Sequence, residues 1–286
     1  MTASKTLRAY LLLLPGLGLI VVFTSIVIGM AISQSLGYLN FSGESGFSTR
    51  FWQSVLGDPQ LWRAFWYSAR VSVISAVLAV ALAYPLALWL RKPFRGSSLI
   101  SAVLKAPLLV HGLVAAFLFI NVISFQGFFN LALVKLGIIA RPMRLQNDAY
   151  GFGVIFLQIW KQMPFALLIL TGAVQAIGDD ILNAARDLGA GALSRFRKIV
   201  MPLTLRSLQA SLILIFIGAA GDFSFQVVAG PTSVNSMAQF MLRAQESGND
   251  GWNVAAVVAV LLMLLSLFGA IVLAGLTQLV TRLGRA

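Results

Sequence analysis

Asp179-Asp180-Ile181-Leu182-Asn183-Ala184-Ala185-Arg186-Asp187-Leu188-Gly189-Ala190-Gly191 is followed, two residues on, by Ser194-Arg195-Phe196-Arg197-Lys198-Ile199-Val200-Met201-Pro202-Leu203. The two leading acids favour a helix N-terminus, because carboxylates offset the positive end of the helix dipole. Ala184, Ala185, Gly189 and Ala190 are small enough to let another surface approach the backbone. Gly191 is placed to end the helix. Ser194 is placed to cap a second short helix, and Pro202 to punctuate the entry into the apolar run beyond it. The segment is therefore expected as a polar, small-residue helical hairpin between two apolar stretches.

Everything around it is unusually apolar. The 286 residues are 59% hydrophobic and 10% charged, with a mean hydropathy of +0.89. A soluble domain carries roughly a quarter charged residues, so lipid must cover most of this surface. About 20 apolar helical residues cross a bilayer core, and six runs qualify: 10–33, 71–90, 99–125, 150–177, 205–229 and 254–276. The first is longer than the apolar part of a signal peptide, although residues 31–33 faintly resemble a cleavage site, and it reads as a retained helix. The third is interrupted near Lys105 and Pro107; the fourth contains Lys161 and the fifth Asp222. Residues 125–139 are moderately apolar but broken by Gly127, Asn130, Lys135 and Gly137, which suits a short interfacial or re-entrant helix. With no repeat and no low-complexity linker, residues 1–286 read as one all-α membrane domain.

Charge sets the orientation. The chain has 21 Lys and Arg against nine Asp and Glu. With the N-terminus inside, Lys5, Arg8, Arg91, Lys92, Arg95, Arg186, Arg195, Arg197, Lys198, Arg206, Arg282 and Arg285 are cytoplasmic. Arg50, Arg63, Lys135, Arg141, Arg144 and Arg243 are then outside, with the acids Glu44, Asp58, Asp148, Glu246 and Asp250. This bias predicts six spans with both termini cytoplasmic, and residues 41–62 and 140–148 as outer loops. Trp52, Trp62, Trp66 and Trp252 fall near the outer boundaries, where indole rings favour the headgroup layer. The basic residues form no single polar face, so nucleic acid is not an expected partner. There is no cysteine, one histidine (His111), and no Walker A, G-x-S-x-G or H-E-x-x-H sequence. No catalytic residue, metal site or cofactor is expected.

The quoted segment resembles the EAA loop of permease subunits of binding-protein-dependent ABC importers. Ala184-Ala185 and Gly189 match the E-A-A-x-x-x-G pattern, Arg186-Asp187-Leu188 is a common filling, and Ile199 to Pro202 supplies the second half. The usual acidic first residue is replaced by Asn183. Trp160-Lys161-Gln162-Met163-Pro164-Phe165 and Gly221-Asp222-Phe223 extend the likeness to about the second half of the chain. The resemblance implies a type I permease fold and a coupling helix formed by Asn183, Ala184, Ala185, Arg186, Asp187, Leu188, Gly189, Ala190 and Gly191. That helix would dock on a separate ATPase subunit, which leaves this chain without an enzymatic activity of its own. It further implies a second, different permease subunit, a periplasmic solute-binding protein and a bacterial inner membrane. Gly221-Asp222-Phe223, Gly230-Pro231 and Met241-Leu242 look like the spermidine/putrescine permease group, which implies a polyamine-like cation, although iron(III) and phosphonate permeases share similar elements.

Asp222, Gln226 and Lys161 are the candidate pathway residues. An ionisable group at membrane depth is costly unless it faces a cavity or a partner. Asp222 and Gln226 are four residues apart, so one continuous helix would put both on one face. The alternatives for Asp222 are an ion pair with Arg70 or Lys161, or a hydrogen-bonded helix contact. Lys161 divides in the same way between pathway lining and structural pairing. An ion-coupled secondary transporter would need midplane carboxylates, and Asp222 is the only one available.

Overall fold

The structure, a computed structural model, describes residues 2–40, 45–143, 146–248 and 250–283, with side chains from 12 to 278. Phe41, Glu44, Arg144 and Arg285, assigned above to loops and a terminus, lie outside the described residues. The described residues contain helices and no strand: α1 Thr2–Ser35, α2 Arg50–Leu56, α3 Pro59–Trp89, α4 Ser97–Lys105, α5 Gly112–Ile123, α6 Phe128–Lys135, α7 Phe152–Gln175, α8 Asp179–Asp187, α9 Ala192–Arg195, α10 Met201–Ala220, α11 Ser224–Ala229, α12 Met237–Glu246 and α13 Gly251–Leu283. A 3₁₀ turn, Ala106–Leu109, follows α4, and a π turn, Phe196–Val200, joins α9 to α10. Six stretches are long and apolar enough to cross a membrane: Leu12–Ser35, Pro59–Trp89, Gly112–Lys135, Phe152–Gln175, Ala192–Ala220 and Gly251–Gln278.

Two spans differ from the sequence expectation. The run 99–125 is not one helix. Pro107 lacks an N–H and sits in the 3₁₀ turn, after which Val110 is extended and α5 starts afresh at Gly112. The crossing-length apolar stretch therefore lies further along, at Gly112–Lys135, and takes in α6, which had been expected as a separate interfacial helix. The run 205–229 is also broken. Its helix begins earlier, through the basic π turn, and ends at Ala220; the chain leaves the helix at Gly221 and restarts as α11.

The chain divides into two compact units. The first comprises residues 1–61 and 240–261. Here the side chains of the α1 window are all outside the core, and hydrogen bonds do the fastening. The buried amide of Asn253 donates to the Gln34 carbonyl at 2.7 Å, and Arg50 pairs with Asp250 at 3.0 Å. Between α1 and α2, Gly37 at φ +90° lets the Gly46 carbonyl pass where a Cβ would stand 2.5 Å from it.

The second unit comprises residues 62–239 and 262–286. Its larger core joins Ala76, Ala79, Val80, Ala83, Ala87 and Leu90 of α3 to Leu167 and Leu170 of α7, Ile215 and Phe216 of α10, and Leu273 of α13. Alanines at three- and four-residue spacing bring backbones close, which is how membrane helices gain contact when lipid itself is apolar. Gly269 shows the same principle: a Cβ there would lie 2.1 Å from the Phe216 ring. A second core joins Tyr67 and Val71 of α3 to Ala115 and Ala116 of α5, Val154 and Leu157 of α7, and Phe225 and Ala229 of α11. Thus α3 and α7 run through both cores and hold the elements that carry the candidate residues.

Candidate functional site

The segment between spans four and five forms α8, a turn and α9. Asp179 and Asp180 occupy the first turn of α8 and Arg186 the last, each sign matched to the helix end it occupies. The expected helix over 183–191 is thus displaced: it starts at Asp179 and ends at Asp187. Termination falls on Gly189, not Gly191. Gly189 sits at φ +82°; its N–H donates to Arg186 O and the Ala190 N–H to Ala185 O, each at 2.9 Å. This is a Schellman closure, and it needs the left-handed conformation that glycine adopts without strain. Gly191 instead precedes α9, so Ser194 lies inside that helix and caps nothing.

None of the α8 residues is buried, and neither is any of Leu188, Gly189, Ala190 and Gly191. Apolar side chains nevertheless stand in the open: Ile181 is 52% exposed, Leu188 88% and Leu193 62%. The segment is fixed at its N-terminal end. Arg91, just past α3, donates to Ile177 O at 2.7 Å and Val174 O at 3.3 Å, adding side-chain donors at the C-terminal end of α7. The same guanidinium meets Asp179 at 2.8 Å, and Lys92 meets it at 3.3 Å. The hydrogen bond from Lys92, followed by the charges of Lys92 and Arg91, holds the Asp179 carboxyl below the ordinary carboxylate range. In the sequence Arg91 and Lys92 signalled only topology. Their role as a clamp needs a carboxylate brought from the far side of α7, and no local pattern announces that.

The three candidate pathway residues are all engaged by their own chain. The Asp222 carboxylate accepts the Phe225 N–H at 3.0 Å, capping the first turn of α11 from the residue before its N-cap Phe223, with the buried amide of Gln158 beside it. Gln226 is 2% exposed and accepts a hydrogen bond from the Tyr67 hydroxyl at 2.9 Å. Lys161 donates to the carbonyls of Pro107 (2.7 Å), Leu108 (3.5 Å) and Val110, which the break between α4 and α5 turns toward it. Two expectations are corrected. Asp222 and Gln226 do not share one face of a continuous span-five helix, because the helix breaks at Gly221. Asp222 forms no ion pair with Arg70 or Lys161, since Arg70 donates to Tyr150 O at 2.9 Å. Sequence reasoning missed Tyr67, which a buried hydroxyl on an otherwise apolar helix could have flagged, and Asp148. The Asp148 oxygens accept the N–H groups of Tyr150, Phe152 and Gly153, capping the start of α7.

Comparison with known proteins bears on both regions. The family described as "Binding-protein-dependent transport system inner membrane component" matches residues 80–284. The spermidine/putrescine transport system permease protein PotB of Haemophilus influenzae is 28% identical over 182 residues, 63% of this chain and 62% of that protein. PotB of Escherichia coli is 29% identical over 167 residues, 58% of this chain and 60% of that protein. The thiamine transport system permease protein ThiP of Brucella abortus is 32% identical over 176 residues, 60% of this chain and 32% of that protein. The chain thus spans about three-fifths of the length of the PotB relatives it matches. A crystal structure of a bacterial ABC transporter involved in the import of the acidic polysaccharide alginate superposes with a TM-score of 0.75 over 98% of this chain and 100% of that one. At 15% identity this shows a shared fold. The family match covers the C-terminal third of α3, the whole of α7 and α8 and the broken span five, so the chain belongs to the binding-protein-dependent transport system inner membrane components.

Proposed function

We propose that this chain is the permease subunit of an ATP-driven importer, with both termini cytoplasmic, and that α8 and the turn after it dock on a separate ATPase subunit. One observation carries the reading: a helix outside the spans buries none of its residues while Ile181 on it and Leu188 in the turn after it stand exposed. Exposed aliphatic side chains on a polar segment mark a protein contact. The Asp179–Arg91–Lys92 clamp would carry the motion of that contact into α3 and α7. Family membership supports delivery of the solute by a periplasmic binding protein and pairing with a second, different permease subunit. A polyamine-like cation is the favoured solute, on the strength of the similarity to the PotB proteins. Lys161, Asp222 and Gln226 border the path in this reading, as the hydrogen-bonded joints of its broken helices.

Gly189 provides the test. A Cβ there meets nothing within 4 Å, but φ is +82°. Gly189→Ala therefore imposes only the backbone penalty of about 1 kcal/mol, whereas Gly189→Trp adds bulk on the proposed docking face. The alanine variant is expected to keep ATPase copurification and solute-stimulated hydrolysis. The tryptophan variant is expected to insert normally and to lose at least roughly 90% of stimulated hydrolysis, since overpacking a fitted contact costs about 1–3 kcal/mol. Equal behaviour of the two would refute docking at this turn. Uptake by proteoliposomes with spermidine, thiamine and alginate oligosaccharide as competitors reads the solute class separately.

A further inference from the structure

Arg63, Trp66, Tyr67 and Arg70 lie at successive three- and four-residue steps near the start of α3, on the face where such spacing gathers side chains. With Ala149 and Val234 they line an open groove of about 420 Å³. Arg70 is held in place: it donates to Tyr150 O at 2.9 Å, and its guanidinium sits 5.8 Å and 5.9 Å from the Tyr67 and Tyr150 ring centres. Among the described residues no carboxylate lies within ion-pair distance of Arg63 or Arg70. The acid nearest the groove in sequence, Asp148, is buried and taken up by three backbone N–H groups. Two positive charges therefore line the groove without an ion-pair partner among the described residues, and the nearest negative charge, the Asp148 carboxylate, is turned to backbone N–H groups. Trp66, 67% exposed, gives it an aromatic rim.

The next turns of α3 continue the same surface with Val73, Ile74, Val77 and Leu78, all exposed and aliphatic. From Arg63 to Leu78 the helix rises roughly 22 Å at 1.5 Å per residue. Along that length the surface passes from cationic and aromatic to purely apolar. A soluble anion would satisfy the arginines and leave the aliphatic stripe bare. A zwitterionic lipid would cover the stripe but supply no net charge. We propose that the groove is a binding site for an anionic phospholipid, its phosphodiester held by Arg63 and Arg70 and its acyl chain lying along Val73 to Leu78. Guanidinium matches phosphate by paired N–H donors, and indole and phenol rings favour the headgroup layer. The site depends on the chain spanning a membrane and not on which solute it moves.

Native mass spectrometry of the assembled transporter, equilibrated with phosphatidylglycerol or with phosphatidylcholine, tests this. The wild type is expected to retain phosphatidylglycerol in preference. Arg63→Ala removes an exposed side chain without an ion-pair partner, and it should weaken that retention about fivefold, the worth of one basic residue at a lipid surface. Arg70→Lys, which keeps charge but not the paired donors, should weaken it less. Arg243→Ala, on α12, should leave it unchanged. Equal retention of the two lipids, or no effect of Arg63→Ala, overturns the proposal. So does displacement of the lipid by millimolar inorganic phosphate, which would reassign the arginines to a soluble anion.

Discussion

Replacing Asp222 by asparagine removes a charge and keeps a helix cap, because the two residues cap about equally well. Alanine removes both. The pair of variants therefore separates the two roles of a residue whose carboxylate accepts the Phe225 N–H. Asp222→Asn is expected to assemble with an unchanged melting temperature and basal ATPase, and to take up spermidine more slowly. Asp222→Ala should lose about 1 kcal/mol of stability, or roughly 2–4 °C in melting temperature for a domain of this size. Normal uptake by the asparagine variant would remove Asp222 from the solute path and leave it a cap. The sequence made Asp222 conspicuous as the lone acid in an apolar run. It did not announce the break at Gly221, since glycine is common within membrane helices and only its neighbours decide whether it ends one. Nor did it announce Tyr67, which meets Gln226 across 159 residues of chain. Lys161 is similar: its charge was legible, while the carbonyls of Pro107, Leu108 and Val110 converge on it only because the helix breaks at Pro107, more than 50 residues earlier.

At the level of elements, α8 was half legible. The acid pair at Asp179 and Asp180 fixes where it begins, through a dipole effect that acts locally. Its end was misplaced at Gly191, because only the left-handed backbone at Gly189 shows which glycine closes the helix. The clamp at its start has a definite pH signature. Because Lys92 and Arg91 depress the Asp179 carboxyl in the folded chain, the clamp is fully formed above the ordinary carboxylate range. It is lost as pH falls through the lowered value. Hydrogen–deuterium exchange at the α8 amides should be slower in the wild type than in Asp179→Asn at neutral pH. The difference should persist through the usual carboxylate range and vanish only below it. A difference that already fades within the ordinary carboxylate range, at about pH 4, would mean that Asp179 is not clamped. Span three went astray for an opposite reason: the interruption at Lys105 and Pro107 was visible, but hydropathy counts carry no information on hydrogen bonding and so did not show that the helix ends there and restarts at Gly112.

For the whole molecule, the count of six spans was legible because bilayer thickness sets helix length directly, and the described residues hold six helical stretches of that kind. The orientation rests on the distribution of basic residues, and it makes a prediction that needs no background correction in a chain without cysteine. A single cysteine at position 187 should react with a membrane-impermeant maleimide only in inverted vesicles, and one at position 58 only in intact spheroplasts. Periplasmic labelling at 187 would turn the topology over. One packing detail bears on how such a chain comes into being. The Phe216 ring of span five rests in a notch that exists only because Gly269 lacks a side chain, and Leu273 closes the same core. Both lie on α13, the sixth of these spans. Phe216 already has α3 and α7 to pack against, but its ring is enclosed only when α13 lies beside α10. The sixth span thus acts as the keystone of this unit, closing by lateral association a core that the earlier helices leave open on one side.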